Sequence, residues 1–199
     1  VTNFKWNGIM AKGGLWYDTL PTTLDYSIRD LEMDCTGTGI SSYGYGFSNC
    51  SNLVNCIGKG TGTEGYGFSN CTNVTNCTGS GTGSLYGYGF SNCTNLTSCT
   101  GTGAGANGYG FSNCTNLTNC TGTGIAGSFC IGFSECTNLT NCTGTGTGAE
   151  GYGFYYITTA SNCKDGGSIT DMWGGTNKNI DLDTCRKTPA TASNATLNT

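Results

Sequence analysis

G-Y-G-F-S-N-C-T-N-L-T-N-C-T-G-T-G, residues 108–124, is the clearest copy of a unit that recurs along the chain. Its phenylalanine returns at Phe47, Phe68, Phe90, Phe111, Phe133 and Phe154, in steps of 21, 22, 21, 22 and 21 residues. A fixed period of this size marks stacked repeats, each too small to bury its own core, and it outranks local secondary-structure preferences. The fold class expected is mainly β: a parallel β-solenoid of about six 21–22-residue coils with non-repetitive caps, or a leucine-rich-repeat-like solenoid.

The unit carries two rhythms. Phe111, Cys114, Leu117 and Cys120 are spaced by three, which a flat strand of period two does not give. That spacing suits an arc of turns, 3₁₀ or polyproline-like backbone, or short strands separated by corners. After Cys120 comes T-G-T-G. With Cys120 inward in an extended segment, Thr121 and Thr123 point outward and Gly122 and Gly124 inward. Each coil then has one straight strand and a curved return. The asparagine of each T-N-L corner is placed to bond its equivalent one coil away, and asparagine tolerates the backbone angles of such corners.

Composition narrows the class. Glycine is 35 of 199 residues and proline only 2, which excludes collagen. The regular Phe, Leu, Tyr and Cys positions supply apolar material to every coil and argue against disorder. The net charge is −4, and between Ser41 and Ala149 the only charged residues are Lys59, Glu64 and Glu135. No basic stripe exists to neutralise phosphates, so nucleic acid is not an expected partner. No apolar run approaches membrane-spanning length.

Fourteen cysteines occur without a histidine. Ten form C-x5-C pairs: Cys50/Cys56, Cys71/Cys77, Cys93/Cys99, Cys114/Cys120 and Cys136/Cys142. Closely spaced zinc knuckles are absent, so no metal is expected. Two readings remain: a disulfide in each repeat, implying an oxidising compartment, or columns of buried reduced cysteines used as small hydrophobes.

The domain organisation expected is an N-terminal cap over 1–26, repeats over 27–155, a C-terminal cap over 156–187 and a linker or tail over 188–199. The first cap carries Trp6 and Trp16 and the second Met172 and Trp173. Ser27–Cys35 alternates Leu31, Met33 and Cys35 with Asp30, Glu32 and Asp34, the pattern of a half-buried strand. It runs into T-G-T-G as a first coil.

The spacing G-F-S-N-C-T-N-L-T-N-C resembles the A-F-x-x-C-x-x-L-x-x-V core of bacterial surface leucine-rich repeats, with Gly for Ala and Cys for Val. The match covers about 44–146 and departs after the second cysteine, where T-G-T-G replaces an apolar strand. The unit is also similar to right-handed parallel β-helices of the pectate-lyase and phage-tailspike type, and to repeats of phage tail fibres and bacterial surface proteins. No catalytic residue and no cofactor follow from either resemblance.

The function expected is a non-enzymatic structural or adhesive module of a phage tail fibre or other extracellular fibre, showing a neutral Thr/Asn/Gly surface at the cell exterior or on the virion. Its partners would be further copies of itself, as homotrimer or filament, and a host-surface glycan or protein. One alternative is a polysaccharide-cleaving β-helix enzyme using Arg29, Asp30, Glu32 or Asp34. The other is an ice-binding solenoid using a ladder of Thr36, Thr38, Thr100, Thr102, Thr121, Thr123, Thr143 and Thr145, interrupted at Ile57-Gly58-Lys59.

Overall fold

Asparagine turns this coil. The computed structural model describes residues 7–9, 35–148 and 150–165. Among them, the non-glycine residues with positive φ are all asparagine except Ser98, Ala126, Glu135 and Tyr156. In the opening unit they are Asn113, Asn116 and Asn119, with φ of 53°, 59° and 55°. Each is followed by a buried residue: Cys114, Leu117 and Cys120. A left-handed residue between extended ones bends the chain and adds one residue per side, so every third side chain points inward. Asparagine adopts that conformation more readily than other residues with a Cβ. The three-residue rhythm is thus short strands separated by corners.

The described elements are β-strands throughout. In the opening unit they are Asn107–Ser112, Thr115–Thr118 and Thr121–Ile125. Each pairs in parallel with its equivalents one coil away: Tyr109 faces Tyr88, Leu117 faces Leu96 and Thr121 faces Thr100. The result is a parallel β-solenoid of about six stacked coils. The expected coil of one straight strand and a curved return is corrected. Two straight strands lie face to face, and the arc contains a third, short one. The two straight stacks belong to one twelve-stranded sheet folded back on itself, and the arc strands form a second sheet of six.

The cross-section has a wide lobe and a narrow limb. The lobe holds the columns expected from sequence: phenylalanine, cysteine, leucine (Val74 in one coil) and cysteine, nearly all buried. Phe47, Phe68, Phe90, Phe111, Phe133 and Phe154 stack in parallel with centroids 4.6–5.3 Å apart. The limb is where the T-G-T-G strand lies against the G-Y-G-F strand, and glycine lines both walls. The 21/22 alternation is absorbed at the turn closing this limb. Gly62 pairs with Gly83 but Glu64 with Tyr86, so the extra residue falls in the turn beside Leu85, which is half exposed, and the columns stay in register.

Stacking continues beyond Tyr155. Ala160–Ser161 pairs with Leu139 and Thr140, and Lys164–Asp165 with Thr143 and Gly144. At the other end Asn7–Ile9 pairs with Thr36, Gly37 and Thr38. The rest of the N-terminal cap, the strand expected through Leu31 and Met33, the remainder of the C-terminal cap with Met172 and Trp173, and the tail lie outside the described residues.

Candidate functional surfaces

Paired glycines in nearly every straight strand set the surface chemistry, because they leave each wall only an outward face. At Gly122 an added Cβ would meet Phe133 Cε2 at 2.8 Å and Phe111 Cδ2 at 2.9 Å, with the Gly132 carbonyl oxygen nearer still. At Gly110, on the facing wall, it would meet the Gly132 oxygen at 2.6 Å and the Gly122 carbonyl carbon at 2.7 Å. The two backbones therefore touch, far closer than the ~10 Å between sheets that interdigitate side chains.

On one side of the limb the alternation expected from T-G-T-G holds, with glycines buried and threonines half-buried or exposed. The eight predicted threonines come together in two columns. One runs Thr36, Ile57, Thr78, Thr100, Thr121, Thr143 and Lys164, and the other Thr38, Lys59, Ser80, Thr102, Thr123 and Thr145. Neighbours in a column lie ~4.8 Å apart, and the columns ~6.6 Å apart along the strand.

The opposite side is a tyrosine face that the three-residue rhythm does not reveal. Tyr45, Tyr66, Tyr88 and Tyr109 stack with centroids 4.8, 4.8 and 5.1 Å apart. Their ring faces cover one another. Ile131 takes the next place and is fully buried. Phe129 packs edge-on against Tyr109, Tyr152 and Tyr155, spanning that place. Tyr66 donates its hydroxyl proton to Glu64. Burial, and then neighbouring Tyr86, raise the Tyr109 phenol to about 12. The signal was present in the sequence, since G-Y-G-F alternates with period two, as a half-buried strand does.

The asparagine ladder forms as expected on the arc. Asn73 donates its amide to Asn52 at 3.0 Å, Asn95 to Asn73 at 3.0 Å, Asn116 to Asn95 at 2.9 Å and Asn138 to Asn116 at 3.0 Å. Each inner residue both donates and accepts. Asn141 repeats the bond to Asn119 at 3.2 Å on the neighbouring corner.

The thirteen described cysteines are thiols and are not joined in disulfides. The two of each C-x5-C pair occupy separate columns: Cys50, Cys71, Cys93, Cys114 and Cys136 in one; Cys56, Cys77, Cys99, Cys120 and Cys142 in the other, continued by Cys35 and Cys163. This is the reduced-column reading, with no disulfide within a repeat. The thiols of the five C-x5-C pairs donate to the carbonyl two residues back, as Cys114 does to Ser112 at 3.3 Å and Cys120 to Thr118 at 3.4 Å. That contact gives the corner carbonyl a partner inside the core. Hydrogen bonds along the columns and burial shift the thiols. For Cys120, the neighbouring Cys142 thiol lowers the value, but the Cys99 thiol and burial outweigh it and leave it at about 12. Cys130 stands apart, in a glycine position of the limb, where it accepts from the Gly127 amide at 3.1 Å.

The carboxylates proposed for polysaccharide cleavage, Asp30, Glu32 and Asp34, lie outside the described residues, as does Arg29. No helix among the described residues is long and apolar enough to cross a membrane. Comparison of the chain with protein-family models, curated proteins and solved structures gives no match, so the resemblances to surface leucine-rich repeats and to phage fibres rest on the quoted motifs alone.

Proposed function

We propose that this chain is a non-enzymatic structural and adhesive module of an extracellular fibre, of the kind found in phage tail fibres or at cell surfaces. The observation that carries this reading is the continuity of its columns. Phenylalanine, asparagine and cysteine run from coil to coil with the same partner above and below, and tyrosine and threonine do so over successive coils. Such a body is stiff along its axis, because every coil is hydrogen-bonded to its neighbours through the backbone and through side chains. The described coils devote their side chains to stacking and to repeated neutral surfaces, which suits a spacer that displays a surface at a distance. Self-association into a homotrimer or an end-to-end filament would extend the rod, since heterologous contacts that do not close propagate.

The test is sedimentation together with binding to intact bacterial cells and to insoluble surface glycans. An oligomer or filament, or retention on one of those surfaces, is the expected result. A dilute, stable monomer retained by none of them would overturn the reading.

A further inference from the structure

The stacking role leaves the threonine columns unexplained, since glycine alone supplies the close packing and any exposed residue would satisfy the strand. We propose that the threonine face over the four coils from Thr78 to Thr145 binds ice.

Four observations carry this. First, the eight outward positions there are Thr78, Ser80, Thr100, Thr102, Thr121, Thr123, Thr143 and Thr145, held in exact lateral register by parallel pairing. They form a rectangular array of hydroxyls and methyls, ~4.8 Å by ~6.6 Å. Those repeats are close to the spacing of water oxygens on the prism faces of ice, so one hydroxyl row can overlie one water row. Second, the array is rigid. Threonine is restricted at χ1, and the strand beneath lies on the facing backbone through Gly79, Gly101, Gly122 and Gly144. A pre-ordered array loses little entropy when it docks on a crystal.

Third, the patch is neutral and bounded. Lys59 occupies the coil before Ser80 in one column, and Lys164 the coil after Thr143 in the other. An ammonium holds its own hydration shell and would interrupt an ice-like layer, whereas the threonine methyls between them order water without binding it strongly. Fourth, the chemistry is one-sided. The opposite face carries stacked phenols with Glu64 and Glu150 in the flanking column, so it offers no comparable array.

The experiment measures thermal hysteresis and ice-crystal shaping by the 199-residue chain at millimolar concentration, with circular dichroism confirming the fold of every variant. The chain is expected to shape crystals and show hysteresis. Thr102→Tyr with Thr123→Tyr places two bulky rings mid-array and is expected to abolish most of the activity. Lys59→Thr extends the array by one position and is expected to raise it, and Glu150→Gln on the far face to leave it unchanged. Absence of hysteresis and shaping in the folded chain overturns the proposal. So does activity that survives the double tyrosine variant, or an equal loss from Glu150→Gln.

Discussion

Gly122→Ala isolates the packing of the narrow limb. Adding a methyl to glycine in extended backbone ordinarily stabilises a protein by roughly 0.4–1 kcal/mol, because it restricts the unfolded chain. Gly122 is not among the positive-φ residues, so that benefit is available to it. The folded structure takes it away. The new Cβ would sit 2.8 Å from Phe133 Cε2 and 2.9 Å from Phe111 Cδ2, and closer to the Gly132 oxygen. None of these atoms can retreat. Phe111 and Phe133 stack on each other at 4.8 Å and are flanked by Phe90 and Phe154, while the Gly132 oxygen belongs to a paired strand. Relief requires the two walls to part over at least one coil. Overpacking of a tight core typically costs 1–3 kcal/mol, and a clash against fixed backbone falls at the upper end, so after the unfolded-chain benefit is subtracted we expect a net loss of about 2 kcal/mol. With a urea dependence of about 1–3 kcal/mol per molar, the midpoint should fall by about 1–2 M. Gly110→Ala, on the facing wall, should behave alike. Thr123→Ala, the outward neighbour, should stay within about 0.5 kcal/mol. Urea unfolding followed by circular dichroism reads all three. A neutral or stabilising Gly122→Ala would refute the contact between the two walls.

The corner asparagines and the thiol columns give two further expectations. Asn116→Ala loses one ladder bond given and one received and places alanine in the left-handed region, so it should cost about 2–3 kcal/mol. Asn116→Gly removes the same bonds but relieves the backbone, and should cost about 1 kcal/mol less in the same urea assay. Alkaline pH should unfold the protein. Cys71, Cys120 and Cys142 are held at about 12. Cys50 lowers the first, but Cys93 and burial outweigh it; Cys142 lowers the second, but Cys99 and burial outweigh it; Cys120 and burial raise the third against Cys163. The folded state binds these protons more tightly than the unfolded state, whose thiols titrate near their ordinary value of 9.0. Their stabilisation is complete below that value and is lost as pH rises toward 12. At about pH 10 the loss is on the order of 1 kcal/mol per thiol. Urea midpoints measured from pH 8 to pH 10 should therefore fall steadily, and a flat profile would contradict the buried-thiol columns.

How far the sequence carried the fold depends on which rhythm is considered. The 21–22-residue period led directly to stacked coils, because identical residues at that spacing can only line up as columns. The inward Phe, Cys, Leu and Cys, the outward threonines of T-G-T-G and the Asn116-type ladder all followed from side-chain periodicity, and the structure has them. The second straight strand did not follow. Gly108, Tyr109 and Gly110 alternate as a strand should, but the eye follows the three-residue spacing that begins at Phe111. At the junction Gly110 and Phe111 are consecutive and both buried, so neither period describes them. The tyrosine stack was missed with that strand. The choice between disulfides and free thiols was not readable from C-x5-C spacing, because it turns on which corner each cysteine occupies. That depends on the left-handed asparagines between them. The acidic residues of 30–34 lie outside the described residues, so the enzymatic alternative stays where the sequence left it.

One repeat advances the chain by one strand spacing with every column in register. This advance is tested most directly by electron–electron distances between spin labels on the threonine face. One label is fixed at Thr38 and the other moved through Thr102, Thr123 and Thr145, with Cys50 and Cys185 replaced by serine so that only the introduced thiols react. These positions are three, four and five coils from Thr38. Narrow distributions centred near ~14, ~19 and ~24 Å are expected, apart from a constant label offset, with successive increments of ~4.8 Å. Broad distributions, or distances that fail to rise by one strand spacing per repeat, would contradict it.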